Sequence, residues 1–387
     1  MQLPNYVKTA LHIIKAAKYK AYIVGGAVRD YLLGLTPSDF DIATNAKPQE
    51  IIKLFSSYFL ITQGIKHGTI TVFIDHQPIE ITTFRIEEDY IDFRRPGKVE
   101  FVDDLYLDLS RRDFTINALA YDEKVIDYFN GENDLKNKIV RCVGDPNLRF
   151  QEDALRILRA LRFACQLNFS ISEETKKALI KNKELLRNIS YERINIEFNK
   201  MLLSDISRVI NPYFDVFKVF IPELHINQIK ENTNIIKKLP ENIILRLSGF
   251  LYHIKNPDII LQRLKYPKKI QKNVLTILKY CDYKISSDNF EISKLLLDIS
   301  LEDLKRIVTF KNACGDYLQI DYENVKVYTL KDLKIKGSDL ISIGIPKNEQ
   351  ISLILRELLI LVIENKIIND RSVLLNYVIE NKKNTIK

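Results

Sequence analysis

The chain has 387 residues, too many for one ordinary hydrophobic core, so we expect two or more domains. Its 58 Lys and Arg against 50 Asp and Glu give a formal net charge of +8, and such a basic surplus suits a polyanionic partner such as RNA. The four cysteines are scattered without a C-x-x-C pair, which argues against a zinc site or disulfide framework, and no apolar run reaches the roughly 18 residues of a membrane-spanning helix.

The N-terminal segment predicts an amphipathic helix rather than a signal peptide. Val7, Leu11, Ile14 and Ala17 fall on one helical face, and the segment lacks an apolar h-region and a cleavage site. Together with the scattered cysteines, this favours a cytoplasmic protein with no membrane association.

The next stretch predicts a strand, a glycine turn, a short helix and a second strand. The apolar run 22–24 is typical of a short buried strand and stops at Gly25-Gly26. Residues 28–33 have helical spacing, and residues 39–42 favour the second strand. A glycine turn lets backbone N–H groups approach a phosphate closely.

Asp39 and Asp41 are two apart on that second strand, so both carboxylates are expected to point to one place. Paired carboxylates repel each other unless cations lie between them, and two Mg²⁺ ions are the natural occupants. The pattern therefore predicts a nucleotidyl-transfer site beside the glycine turn.

The chain changes character about a third of the way along. Short β-rich runs occupy residues 69–74, 79–84 and 125–129, whereas from about residue 149 the pattern is helical almost to the end. We therefore expect an α+β head followed by an elongated all-α remainder. Glu80 lies within the second of these runs, either as a solvated strand residue or as a third catalytic carboxylate.

Arg111, Arg112 and Asp113 precede a pattern, FTINALAY, that predicts a helix with Asp113 as its N-cap. Two interpretations stay open at this point. Asp113 is either a capping residue flanked by surface arginines, or it contacts a ribose hydroxyl while an arginine contacts phosphate. The spacing from Asp127 to Asp134 predicts a strand-to-helix turn, for which a structural role would be a sufficient explanation.

The segment 152–162 predicts a helix on which Asp153 and Arg156 share one face, with Arg159 and Arg162 continuing the row. An ordinary i,i+3 ion pair is one explanation. Hydrogen-bond polarity offers another, because Asp153 only accepts and Arg156 only donates. Cytosine and adenine present an amino donor beside a ring-nitrogen acceptor, whereas uracil and guanine present the reverse order. Such a pair would select C and A without a nucleic-acid template.

Six segments together resemble the five ordered motifs of the class II tRNA nucleotidyltransferases. These CCA-adding enzymes belong to the bacterial tRNA nucleotidyltransferase/poly(A) polymerase family within the polymerase beta-like superfamily. The matching segments are GGAVRD, DFD, RRDFTINALAYD, DYFNGENDL, EDALRILRALRFA and YERINIEFNKMLL. The resemblance spans residues 21–203, and IKGSDLISIGIPK resembles the family's C-terminal segment.

The resemblance implies a head with a polymerase beta-like sheet at 1–148, a helical neck at 149–205, a helical body at 206–325 and a helical tail at 326–387. The body and tail would grip the acceptor stem and elbow of tRNA. We expect a monomer.

The resemblance also implies a role for each site residue. Asp39 and Asp41 would hold two Mg²⁺ ions, and Glu80 is the third candidate for a catalytic carboxylate from its place on the neighbouring run. The nucleotide-binding residues would be Gly25, Gly26 and Arg29 on the triphosphate, Arg112 and Asp113 near the ribose, Asp153 and Arg156 on the base, and Arg159 and Arg162 on phosphate or the tRNA end. Glu192, Arg193 and Glu197 would brace the base-reading helix.

The implied reaction is template-independent addition of C, C and A to the 3′ end of tRNA from CTP and ATP, with release of pyrophosphate. The alternatives are an A-adding or CC-adding enzyme, a poly(A) polymerase and, more remotely, a non-catalytic RNA-binding protein. The segment GIKHGT at 64–69 resembles the GxxHGT of CCA-adding members, which favours a tRNA enzyme over a poly(A) polymerase. The loop 85–101 resembles the family's flexible loop between the first two motifs, which CC-adding enzymes tend to lack or alter, and this favours a product that ends in A.

Overall fold

The structure is a computed structural model that describes residues 1–88, 90, 93 and 97–384. The chain divides into two compact units. Unit 1 comprises Met1–Thr233 and His253–Tyr266, and unit 2 comprises Asn234–Tyr252 and Pro267–Lys387. No helix in the described ranges is long and apolar enough to cross a membrane.

All strands with assigned bounds belong to unit 1. In chain order they are β1 (Ala21–Val24), β2 (Asp41–Thr44), β3 (Phe59–Ile61), β4 (Thr69–Ile74), β5 (Gln77–Thr83), β6 (Arg85–Glu88), β7 (Lys98–Phe101), β8 (Leu119–Asp122), β9 (Lys124–Asp127), β10 (Ile139–Val140) and β11 (Ser170–Ile171). A seven-stranded sheet has the order β3-β4-β5-β2-β1-β8-β9, while β6 pairs with β7 and β10 with β11. The predicted β-rich runs are confirmed as β4, β5 and β9.

The helices, in chain order, are α1 (Asn5–Ala16), α2 (Gly26–Leu32), α3 (Pro48–Leu54), α4 (Leu105–Ser110), α5 (Gly131–Lys136), α6 (Pro146–Glu152), α7 (Leu155–Leu167), α8 (Glu173–Asn182), α9 (Tyr191–Leu202), α10 (Ser207–Ile210), α11 (Phe214–Phe220), α12 (Ile226–Lys238), α13 (Ile243–Leu251), α14 (Pro257–Arg263), α15 (Lys268–Tyr280), α16 (Asn289–Leu295), α17 (Leu301–Cys314), α18 (Gly337–Ser342), α19 (Glu349–Ile363) and α20 (Arg371–Asn384). Short 3₁₀ helices lie at Ile65–His67, Thr115–Asn117, Lys183–Asn188 and Leu330–Asp332. The predicted α+β head with a largely helical remainder is confirmed.

Helix α1 is the amphipathic helix predicted at the N-terminus. Val7, Ala10 and Ile14 are its buried residues, and their spacing of three and four places them on one face. Helix α1 contacts strand β1, the strand that leads to the glycine turn.

The centre of the main sheet sets the position of the acidic residues. Strand β2 lies between β1 and β5, pairing antiparallel with β1 and parallel with β5. Its register places Asp41 opposite both Val24 and Glu80. Strand β2 begins at Asp41, so Asp39 precedes the strand instead of lying within it.

The prediction of a helix for the segment FTINALAY is wrong. Residues 115–117 form a 3₁₀ turn, and strand β8 follows, paired with β1 through Ala120 and Val24. Every residue from 113 to 120 is buried. Continuous burial suits an inner strand of the sheet, whereas a helix on the surface would need a polar face. Asp113 therefore caps no helix.

The prediction of a single helix across residues 152–162 is also wrong. Helix α6 ends at Glu152, and Asp153 is extended with φ −139° and ψ 104°. Helix α7 then starts at Leu155, and the Asp153 carboxylate accepts a hydrogen bond from the Leu155 N–H at 3.0 Å. A short polar side chain that satisfies the first free N–H groups of a helix favours this break.

Each unit has its own apolar core. In unit 1, Val24, Phe84 and Leu109 belong to a cluster beneath the centre of the main sheet. Unit 2 contains one cluster around Phe310, and another around Leu340 and Leu358. The core of unit 1 supports the strands that carry the acidic residues.

Candidate active site

The structure brings all twelve candidate site residues to one cleft of about 720 Å³ in unit 1. They are Gly25, Gly26, Arg29, Asp39, Asp41, Glu80, Arg112, Asp113, Asp153, Arg156, Arg159 and Arg162. These residues come from the main sheet, from α2, from α7 and from the loops beside these elements, although they span about 140 positions of the chain. Arg85, Arg111 and Lys200 also line this cleft, and none of the three was among the candidates.

The turn after β1 requires glycine at position 25. Gly25 has φ +71° and ψ −128°, a conformation that side chains rarely adopt. A Cβ there would lie 3.0 Å from Nη1 of Arg112. The turn therefore lets an arginine approach the backbone closely at the place where a phosphate was predicted.

Asp41 lies in an acidic environment. Desolvation within the cleft and the Glu80 carboxylate raise the pKa of Asp41 to about 6; Asp39 acts in the same direction, and Arg112 opposes it. Removal from water disfavours the charged form of a carboxyl group, and like charges disfavour ionisation of their neighbour. A bound cation would relieve this repulsion.

Hard carboxylate oxygens with uncompensated negative charge are the donors that Mg²⁺ prefers, and Mg²⁺ commonly uses one or two protein carboxylates with substrate phosphates. Asp39 and Asp41 fit that requirement. Among the described residues, no three His, Cys, Asp or Glu side chains form a metal-binding group. Glu80 is the cross-strand neighbour of Asp41, and its role as a third carboxylate stays a prediction.

Asp113 is buried within a network of donors. Its Oδ2 accepts from Nε of Arg159 at 2.7 Å, and its Oδ1 accepts from the Phe114 N–H at 2.8 Å and from Nδ2 of Asn117 at 3.2 Å. Burial alone would raise the pKa of Asp113, but Arg159 and Arg156 outweigh it and lower the pKa. Asp113 is therefore a charged acceptor at the wall of the cleft.

Two neighbouring arginines are held by an acid that the motifs did not single out. Asp108, in α4, pairs with Arg111 at 2.8 Å and with Arg112 at 3.3 Å. Arg111 also pairs with Glu87 at 3.1 Å. Burial opposes ionisation of Asp108, but the two guanidinium groups outweigh it and lower the pKa of Asp108. These ion pairs fix the arginines beside the cleft.

Asp153 and Arg156 line the cleft but do not pair with each other. Asp153 pairs with Arg193 of α9 through two hydrogen bonds of 2.9 and 3.3 Å. Arg156 pairs with Glu152 at 2.5 Å and donates to the backbone carbonyl of Arg111 at 3.1 Å. The predicted shared helix face is wrong because the helix is interrupted at Asp153.

Helix α9 braces α7, as predicted for two of its three candidate residues. Arg193 holds Asp153, and Glu197 pairs with Arg162 at 2.5 Å, whereas Glu192 is exposed. Arg162 thus lines the cleft while it is paired with a carboxylate of α9. Its guanidinium carbon also lies 3.9 Å from the centre of the Phe163 ring.

Sequence reasoning missed Asn117, which lines the cleft and bonds to both Arg29 and Asp113. Asn117 lies within the RRDFTIN segment. Because a helix was predicted there, its side-chain amide was not expected to face the cleft. The loop 85–101 lies partly outside the described residues, and its described ends form β6 and β7.

Asp41 at the start of β2 and Asp39 just before it lie in one cleft with a glycine turn and several arginines, an arrangement typical of a nucleotidyltransferase. Residues 21–141 match the family described as poly A polymerase head domain. Residues 168–226 match a probable RNA- and SrmB-binding site of polymerase A, and residues 241–378 match a tRNA nucleotidyltransferase domain 2.

The full-length comparisons identify the family. The CCA-adding enzyme of Ligilactobacillus salivarius is 37% identical over 403 residues, covering 100% of this chain and 98% of that protein. The CCA-adding enzyme of Lactobacillus johnsonii is 38% identical over 399 residues, covering 97% and 98%. The crystal structure of the Bacillus stearothermophilus CCA-adding enzyme in complex with CTP has a TM-score of 0.80 at 27% identity, covering 99% of both chains. The chain belongs to the CCA-adding enzymes, which are tRNA nucleotidyltransferases.

Proposed function

We propose that the chain carries out the reaction of this family, addition of C, C and A to the 3′ end of tRNA from CTP and ATP, in the cleft of unit 1. The observation that carries the proposal is that all twelve candidate residues line this one cleft. The reaction would proceed by in-line displacement of pyrophosphate, so the protein contributes positioning and charge neutralisation.

Asp39 and Asp41 would hold two Mg²⁺ ions together with oxygens of the triphosphate. When bound, the metals would supply Lewis acidity for the attacking 3′-hydroxyl and charge neutralisation for the leaving pyrophosphate. Glu80 would contribute negative charge next to Asp41 and would keep the metal affinity of this edge high.

The triphosphate would bind at the Gly25-Gly26 turn, with Arg29 and Arg112 as the cationic partners. Arg112 is already placed against the turn, since a Cβ at Gly25 would meet it at 3.0 Å. Asp113 would accept a hydrogen bond from the ribose 2′-hydroxyl. Its neighbouring arginines keep it ionised, and an ionised carboxylate is the stronger acceptor.

Asp153 and Arg156 would recognise the base through their opposite polarities. An acceptor and a donor on the wall of one cleft match the amino group and ring nitrogen of cytosine and of adenine, and mismatch uracil and guanine. Arg193 would orient the Asp153 carboxylate through its two hydrogen bonds of 2.9 and 3.3 Å. Arg159 would hold Asp113 in place, and Arg162 would pair with Glu197. Both arginines would also contact substrate phosphate.

The division into head (1–148), neck (149–205), body (206–325) and tail (326–387) is likewise part of the proposal, with a monomer as the acting form. The matches at 168–226 and 241–378 to families of RNA-modifying enzymes support a role for the helical remainder in binding tRNA. Within that remainder, the acceptor stem and elbow are the proposed contacts of the body and tail.

The test uses tRNA lacking its terminal CCA, the purified chain and Mg²⁺, with the 3′ end sequenced after CTP alone, ATP alone or both. Two C's with CTP, followed by one A when both nucleotides are present, would establish complete CCA addition. C's without A would indicate a CC-adding enzyme, and A only on tRNA ending in CC would indicate an A-adding one. A long A tail on unrelated RNA would overturn the proposal in favour of a poly(A) polymerase.

A further inference from the structure

The side-chain amide of Asn117 connects two groups that the proposed function assigns to different parts of the nucleotide. Its Oδ1 accepts from Nη1 of Arg29 at 2.8 Å, and its Nδ2 donates to Oδ1 of Asp113 at 3.2 Å. Asn117 is only 7% exposed and lines the cleft. The proposed triphosphate-binding arginine and the proposed ribose-binding aspartate are therefore joined by one side chain.

The chemistry of the two partners permits only one orientation of this amide. A guanidinium only donates and a carboxylate only accepts, so the amide oxygen must face Arg29 and the amide nitrogen must face Asp113. The reverse orientation would place donor against donor and acceptor against acceptor. The amide therefore fixes the position of the Asp113 carboxylate relative to the Arg29 guanidinium.

The backbone holds Asn117 at this place. It is the last residue of the 3₁₀ turn Thr115–Asn117, and its N–H donates to the Phe114 carbonyl at 2.9 Å. Two residues later, the Leu119 carbonyl accepts from the N–H of Gly25 at 3.1 Å, which joins this turn to the glycine turn. Asn117 is thus anchored next to the same sheet that carries Asp41.

We propose that Asn117 is a positioning residue for ribose selection, which orients the Asp113 carboxylate toward the 2′-hydroxyl and couples it to Arg29 on the triphosphate. This inference rests on the proposed function for the roles of Asp113 and Arg29. Arg159 and the Phe114 N–H hold Asp113 from other sides, so loss of Asn117 would loosen the carboxylate without releasing it.

The test compares kcat/KM for CTP and for 2′-deoxy-CTP on tRNA lacking CCA. Asn117→Asp keeps an acceptor toward Arg29 but places a carboxylate against Asp113, so the preference for CTP should fall by about tenfold or more, as for a lost hydrogen bond to a charged group, with KM for the triphosphate little changed. Asn117→Ala removes both contacts, so the preference should fall and KM should rise for both nucleotides.

Thr115→Val is the matched control in the same turn. Thr115 is buried and donates to Oδ2 of Asp134 at 2.7 Å, away from the cleft. Its loss should lower thermal stability but leave the CTP preference unchanged. This control separates a general effect of losing a buried hydrogen bond from an effect on ribose selection.

Asp113→Ala separates the inference from the proposed function. If Asp113→Ala abolishes the CTP preference while both Asn117 variants retain it within about twofold, the inference is overturned and the ribose role of Asp113 stands. If Asp113→Ala itself retains the preference, the assignment of the ribose to Asp113 fails, and the inference falls with it. Loss of preference in the Asp113 and Asn117 variants, but not in Thr115→Val, supports both.

Discussion

The ion pair between Arg162 and Glu197 provides the sharpest test of how α9 supports the site. The two side chains are 9% and 6% exposed and lie 2.5 Å apart. Arg162 has two further contacts, a hydrogen bond to Gln166 at 2.8 Å and the ring of Phe163 at 3.9 Å. We consider the replacement Glu197→Leu, which removes the charge while filling most of the space.

The expected cost follows from the burial of the remaining charge. Removing one partner of a buried pair costs about 3–5 kcal/mol, because the other charge stays desolvated and unpaired. Gln166 and Phe163 continue to stabilise the guanidinium, so we expect a loss of about 3 kcal/mol in the free energy of unfolding. The double variant Arg162→Met with Glu197→Leu removes both charges, and its stability should return to within about 1 kcal/mol of the wild type.

The assay is urea-induced unfolding followed by far-ultraviolet circular dichroism, with separate transitions fitted if the two units unfold independently. Glu184→Gln is the control, because Glu184 pairs with Arg187 in the same unit and both side chains are more than half exposed. It should change stability by less than about 0.5 kcal/mol. A loss below about 1 kcal/mol for Glu197→Leu would refute the reasoning that this pair is desolvated.

Three further predictions concern the cleft and its supports. Gly25→Ala should strain the turn by about 1–3 kcal/mol and raise KM for CTP and ATP by about tenfold, because its Cβ would meet an arginine at 3.0 Å. Gly34→Ala, at φ +73° with nothing within 4 Å, should show the strain but no change in KM. Asp41→Asn should lower single-turnover CMP incorporation by about 10²–10³-fold, since one proposed metal ligand is lost; incorporation within tenfold of the wild type would contradict that role. The pKa of Asp108 is lowered by its arginines, so its stabilising effect is complete above about pH 3.9 and is lost as the pH falls further. The melting temperature of Asp108→Asn should therefore be lower than that of the wild type at pH 7 and fall less between pH 5 and pH 3; parallel decreases would contradict this.

Local patterns were enough to predict much of the architecture. The apolar run before Gly25, the alternation in β4 and the face of α1 each follow from side chains within a few residues of one another. The ordered motifs also indicated the family, because each motif is a contiguous segment of the chain. For the same reason, the candidate residues could be named before their positions were known.

Pairing between distant segments decided the rest. The parallel register of β2 and β5 places Glu80 beside Asp41, and no local pattern specifies that register. Asp153 was expected to act with its neighbour on a helix face, but its partner is Arg193, 40 positions away. A charged side chain pairs with the opposite charge that the folded chain brings within hydrogen-bond distance. The spacing of two residues along the sequence does not determine how far apart they lie in the fold.

The segment 113–120 shows the same division most clearly. Its apolar spacing is compatible with a helix, yet complete burial against β1 makes it a 3₁₀ turn and an inner strand. The sequence alone was sufficient to identify Asp113 as a candidate. Only the tertiary structure places Asn117 between Asp113 and Arg29, because the β1–β8 pairing brings the two turns together and thereby determines which polar groups can meet.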